Sequence, residues 1–252
     1  MTRAGWIRTG IVAGGVFALE SVCRTGMVSP ATLIAPSAML GSMAEVLASE
    51  ELRPDIFASV GTIAAATALT CIAGICAGLA LHALPRVRSA IDPLLASYYA
   101  LPLFAFYPLF IVVFGVGFAP IMVMGFLTGL AAMVLATLNG LDAIPSVLFR
   151  TARMYRMGWL RRAWKIQMPA AAPQLFNGVR LAVAYASIGV IASEFIMSGR
   201  GLGFQIGFAY NALETRRMYG LILLLILLVV LMNGALDALD RRMQRHRHAN
   251  VP

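Results

Sequence analysis

The chain has 252 residues, 60% hydrophobic and 12% charged, with a mean hydropathy of +0.82. Soluble domains carry about 25% charged residues, so there is too little polar surface here to cover a water-soluble body of this size. Disorder is excluded by the same figures, and a disulfide scaffold by only three cysteines, Cys23, Cys71 and Cys76. An integral membrane protein remains, and its net charge of +9 becomes a question of which loops hold the arginines.

A spanning helix needs about 20 mostly apolar residues, and six windows meet or approach that length: 7–23, 58–81, 94–116, 118–138, 175–198 and 218–236. The first is short, glycine-rich and interrupted by Glu20. It resembles a signal peptide in following Arg3 and Arg8, but no small-residue cleavage site follows it closely, so it is read as a retained helix. The composition therefore predicts an all-α fold, a polytopic membrane helix bundle with six transmembrane helices. No repeat or linker suggests a second domain, and 1–252 reads as a single transmembrane domain.

With the N-terminus inside, six spans return the C-terminus to the same side. Fifteen of the 20 basic residues then lie on the cytoplasmic side and five (Arg24, Arg53, Arg200, Arg216, Arg217) outside, as the positive-inside rule requires. This places the protein as multi-pass with both termini cytoplasmic. The charge needs no nucleic-acid partner.

Between the first two spans, residues 25–57 form an outer segment with four acidic residues, Glu45, Glu50, Glu51 and Asp55, and a short amphipathic helix expected near 43–52. Residues 139–174 form the one long cytoplasmic segment and the most basic stretch. The run 241–248 reads as an anchor to anionic lipid, so the bilayer itself is a partner. Three Gly-x-x-x-Gly pairs, Gly10/Gly14, Gly74/Gly78 and Gly125/Gly129, predict inward packing of the first, second and fourth helices. The unbroken Leu/Ile/Val run 221–231 suits a lipid-facing position.

Lys165 is the only lysine, so a phosphate-cradling G-x-x-x-x-G-K-[ST] loop cannot exist here. The glycines at 199, 201, 203 and 207 do not fit a dinucleotide fingerprint and read as a tight re-entry after the fifth helix. His82, His246 and His248 lack partners at ligand spacing, and no catalytic set lies in the spans. No metal, cofactor or enzymatic centre is expected. Glu194, near the outer end of a span, is the carboxylate with the strongest claim to a pathway role, because charge within a span is costly.

From Leu101 onward the sequence resembles the permease subunits of bacterial ATP-binding-cassette importers, in the branch that handles nitrate, sulfonates and taurine. The third window has that branch's proline-interrupted span, with Pro102, Pro108 and Gly117; each proline removes a backbone donor and breaks helix continuity. The cytoplasmic segment is similar to the family's coupling loop, Glu-Ala-Ala, three residues, Gly, nine residues, Ile-x-Leu-Pro. Anchored on Met168 and Pro169, it puts Arg150, Thr151 and Ala152 on the triplet, Arg156 on the glycine and Ile166 on the isoleucine. Ala152, Ile166 and Pro169 match, Arg150 and Arg156 depart, and Gly158 falls two positions late. Asn177-Gly-Val-Arg180, Ser193-Glu194 and Gly201-Leu-Gly203 are similar to later family signatures.

The resemblance covers roughly 57–245. It implies a cytoplasmic coupling helix within 139–174, a separate ATPase subunit in two copies docked on that segment, and a second permease copy, most simply a homodimer. It also implies an extracytoplasmic solute-binding protein and a place in the bacterial inner membrane. The cargo implied is a small anion, sulfonate-, taurine- or nitrate-like, with Pro102, Pro108, Glu194, Gly201 and Gly203 lining the path or packing its helices. The rival reading is an ion-coupled secondary carrier using Glu194, which would work without ATP.

Overall fold

The computed structural model describes residues 3–29 and 31–249, with side chains described from residue 9 to 238 apart from Pro30, and for Ile7. The basic side chains of 241–248, expected as a lipid anchor, lie outside the described set. Among the described residues every regular element is helical.

In chain order the α-helices are α1 (Arg3–Arg24), α2 (Pro36–Ala48), α3 (Arg53–Ala83), α4 (Pro85–Ser97), α5 (Tyr107–Phe114), α6 (Phe118–Asp142), α7 (Ser146–Met154), α8 (Trp159–Arg162), α9 (Met168–Met197), α10 (Leu202–Asn211) and α11 (Thr215–Ala249). Among the described residues four unbroken stretches are long and apolar enough to cross a membrane: Glu50–Ala83, Phe118–Asp142, Trp159–Met197 and Thr215–Ala238. They contain the expected windows 58–81, 118–138, 218–236 and all but the last residue of 175–198. Window 7–23 lies in α1, which is helical but is not among those four. The outer amphipathic helix begins earlier than expected, with Pro36 in its first turn, and a 3-10 turn over Glu50–Leu52 links it to α3.

The window 94–116 is not one straight helix. It divides at Leu101–Pro102 into two helical arms, Pro85–Ala100 and Leu103–Phe114, bent by 86°. Pro102 sits at the break, as expected. Pro108 does not break anything: it occupies the first turn of α5, where a missing N–H costs no hydrogen bond. Pro93, by contrast, is carried inside α4.

The chain forms two compact units, one of Met1–Ala58 with Glu194–Leu228 and one of Ser59–Ser193 with Val229–Pro252. The second holds the helix packing that the glycines announced. A Cβ on Gly74 would lie 2.6 Å from Met133 Cβ, and one on Gly78 2.6 Å from Thr137 Cβ, so α3 and α6 approach closely there. Gly125 and Gly129 are closed in by Val190, Ala66, Thr70 and the Ala182 carbonyl of α3 and α9. Thr128 of α6 donates to the Tyr185 carbonyl of α9 at 2.9 Å, and its hydroxyl also crowds Gly189. Small residues let backbones approach and strengthen van der Waals contact where lipid gives no hydrophobic drive.

Helix α1 departs from that expectation. Gly10 and Gly14 have nothing within 4 Å, and Ile11 and Phe17 are 70% and 74% exposed. The apolar run of α11 is divided: Leu221 and Leu224 are buried, whereas Ile226, Val230 and Leu231 are exposed. That agrees in part with a lipid-facing helix.

Candidate functional site

The cytoplasmic segment is built as a helix, a turn and a second helix. Pro145 precedes α7, whose half-buried Leu148 and Phe149 pack on Met133, Leu141, Ile144, Ala171 and Leu175. Ala152 is 1% exposed on the same side of α7, while Arg150, Thr151, Arg153 and Met154 are exposed. Apolar residues at helical spacing thus clamp one face and leave a basic face in water.

The turn after α7 is a Schellman motif. Met157 N–H donates to the Ala152 carbonyl at 3.0 Å and Arg156 N–H to the Arg153 carbonyl at 3.0 Å, and Arg156 has φ +45. A left-handed residue at this position is ordinarily glycine. The family-pattern glycine and the geometric one therefore coincide on a residue that is arginine here. Gly158, two positions later, is extended (φ −63) and stands immediately before α8, so it does not substitute for that glycine.

From α8 the chain widens into a π-helical turn, Ala163–Gln167, before α9. Pro169 explains the widening: it has no N–H to donate and its ring excludes the Lys165 carbonyl from the α-helical position. Ala163 and Gln167 are buried, Ile166 is half-buried, and half-buried Met168 packs on the cluster that holds α7. The structure thus buries Ala152, packs Met168 on the core that holds α7, and puts Arg150 and Arg156 on the surface. Arg88 of α4 binds Asp142 at the end of α6 through two bonds of 2.8 and 2.6 Å, and His82 of α3 lies 3.7 Å from the same carboxylate.

The second candidate region is the turn after α9. Gly201 has φ +105 and ψ 167, a conformation confined to glycine. Its N–H donates to Asp55 Oδ1 at 2.7 Å, and Gly203 N–H donates to Glu194 Oε2 at 2.9 Å. Gln205 Nε2 also donates to Asp55 Oδ2 at 2.6 Å. Two buried carboxylates, one from α3 and one from α9, thereby satisfy amides at the start of α10, where the helix dipole favours negative charge. A tight turn follows α9, and Glu194, Gly201 and Gly203 meet in it.

Asp55 is the residue that sequence reasoning missed, having been grouped with the outer acidic residues. Its only distinguishing signal was its place in the first turn of a long helix. Glu20, suspected of lying in a span, instead reaches the start of α2: it accepts Ser37 N–H at 3.0 Å and pairs with Arg24 at 2.6 Å. Among the described residues no cluster of His, Cys, Asp or Glu could hold a metal.

Residues 69–245 match the family model of the binding-protein-dependent transport system inner membrane component. The chain belongs to that family. It is 26% identical over 228 residues to the taurine transport system permease protein TauC of Escherichia coli (strain K12), covering 88% of this chain and 83% of that protein. It is 27% identical over 157 residues to the nitrate import permease protein NrtB of Leptolyngbya laminosa, covering 62% of this chain and 56% of that protein. Its fold is that of a chain in an inward-facing structure of the MetNI methionine ABC transporter, with a TM-score of 0.67, 19% identity, and coverage of 77% of this chain and 98% of that one. This family member is thus a transport permease of the inner membrane, with several membrane-spanning helices and no enzymatic relatives among those named.

Proposed function

We propose that the chain is the transmembrane subunit of an ATP-driven importer of a small anion, sulfonate-, taurine- or nitrate-like, acting as one permease domain with six crossings and both termini cytoplasmic. The observation that carries this reading is the anchored basic turn of 146–169. Leu148, Phe149 and Met168 pack on the core, Ala152 is buried, and Arg150, Arg153 and Arg156 are exposed. Such a face suits docking by a separate ATPase subunit, in two copies. A second copy of this chain would complete the pathway, and an extracytoplasmic binding protein would deliver solute to the outer segments. Pro102 at the 86° break and the collared turn at Gly201 and Gly203 are the interruptions around which helices could move. Pro108 is assigned to helix initiation in that arrangement.

The test is uptake of labelled taurine or nitrate by vesicles containing the chain, its gene-neighbour ATPase and the binding protein. Uptake should need ATP, and Ala152→Trp should abolish it by forcing α7 off its core. Uptake driven by a proton or sodium gradient without ATP would favour an ion-coupled carrier instead. What speaks against that carrier is that the Glu194 carboxylate already accepts the Gly203 amide.

A further inference from the structure

A groove of about 920 Å3 opens beside the cytoplasmic segment, within the second unit. Its floor is apolar, from Ile72, Ile75, Leu79 and Ala80 of α3, and its rim carries Trp159, Trp164 and Arg162. The two indoles are 69% and 70% exposed, and tryptophan gathers at the level of lipid headgroups. The Arg162 guanidinium lies 6.0 Å over the Phe149 ring, and its Nε is buried with no hydrogen-bond acceptor among the described residues. The Arg162 side chain is half-buried in the lining of the groove, and a guanidinium is suited to bidentate contact with phosphate.

We infer that this groove binds an anionic phospholipid of the cytoplasmic leaflet, with its phosphate on Arg162 and an acyl chain along α3. Charge complementarity selects this occupant. The half-buried guanidinium suits an anion, the walls suit a hydrocarbon, and other basic residues of the same segment, Arg150, Arg153, Arg156 and Lys165, raise the local concentration of anionic lipid. A free phosphate would satisfy Arg162 but leave the apolar floor bare. The site is independent of which solute is carried.

Native mass spectrometry of the purified full-length chain, given phosphatidylglycerol or phosphatidylcholine with the same acyl chains, tests this. The wild type should retain phosphatidylglycerol about fivefold more than phosphatidylcholine, and Arg162→Gln should remove that preference. Arg161→Gln, at an exposed neighbouring position, should keep it. Ala80→Trp, which fills the groove without touching the charge, should lose both lipids. Equal retention of the two lipids by the wild type, equal losses in the two arginine variants, undiminished binding in Ala80→Trp, or displacement of the lipid by inorganic phosphate would each overturn the assignment.

Discussion

Arg156 holds a backbone conformation that most side chains avoid, because a Cβ at positive φ crowds the carbonyl oxygen. The Schellman bonds around it keep it there. Arg156→Gly should therefore stabilise the protein by about 1 kcal/mol. Gly201→Ala should do the opposite. Its φ of +105 excludes a Cβ, and one placed there would meet the Glu194 carboxyl carbon at 2.5 Å, so a loss of about 1–3 kcal/mol is expected. Thermal unfolding of the two purified variants in one detergent checks both signs; a destabilised Arg156→Gly would show that the side chain makes a contact worth more than the strain. The position of the first turn was legible once Met168 and Pro169 were aligned to the family pattern. Asp55 was not, because nothing near Asp55 in the chain signals that residues 146 positions away will offer it an amide.

At the scale of helices, identical motifs have different consequences. Gly10/Gly14 and Gly74/Gly78 share one spacing, yet only the second pair faces another backbone. Gly78→Val should cost about 1–3 kcal/mol through overpacking against Thr137, whereas Gly10→Val should leave the isolated chain's unfolding temperature nearly unchanged. Equal losses in the two would mean that α1 is packed as tightly as α3. Spacing reports which residues share a face of a helix, but not what that face meets. For the same reason Gly140 and Gly189 escaped notice, and Gly178 stood out only within a family signature, although each sits against a neighbouring helix, since none is half of a four-residue pair. The existence of the long helices was legible because apolar length is a local property. The 86° bend and the wide turn before Pro169 were only half legible: a proline says that a donor is missing, and packing decides whether the helix starts, bends or widens there.

For the whole molecule, the bent pair decides the topology. If its arms together cross the bilayer, residues 25–57 and the basic segment 139–174 lie on opposite sides, and the basic residues divide fifteen inside to five outside. If the pair re-enters and leaves on the side it came from, only α3 and α6 cross between those segments. With α1 crossing from an inner N-terminus, the same arginines and lysine would then divide seven inside to thirteen outside. The proposed topology takes the crossing, because the positive-inside rule is met only there: basic residues near span ends set orientation and acidic ones contribute little. Met27 and Met154 are suitable reporters, at 79% and 84% exposure, one on each segment. In a background with Cys23, Cys71 and Cys76 replaced by alanine, Met27→Cys should react with a membrane-impermeant maleimide in intact spheroplasts. Met154→Cys should react only after the membrane is opened. Labelling of both from outside would make the bent pair a re-entrant hairpin. It would also move the basic face at Arg150, Arg153 and Arg156 away from any cytoplasmic ATPase, so one labelling pattern bears on the number of crossings and on the coupling surface together.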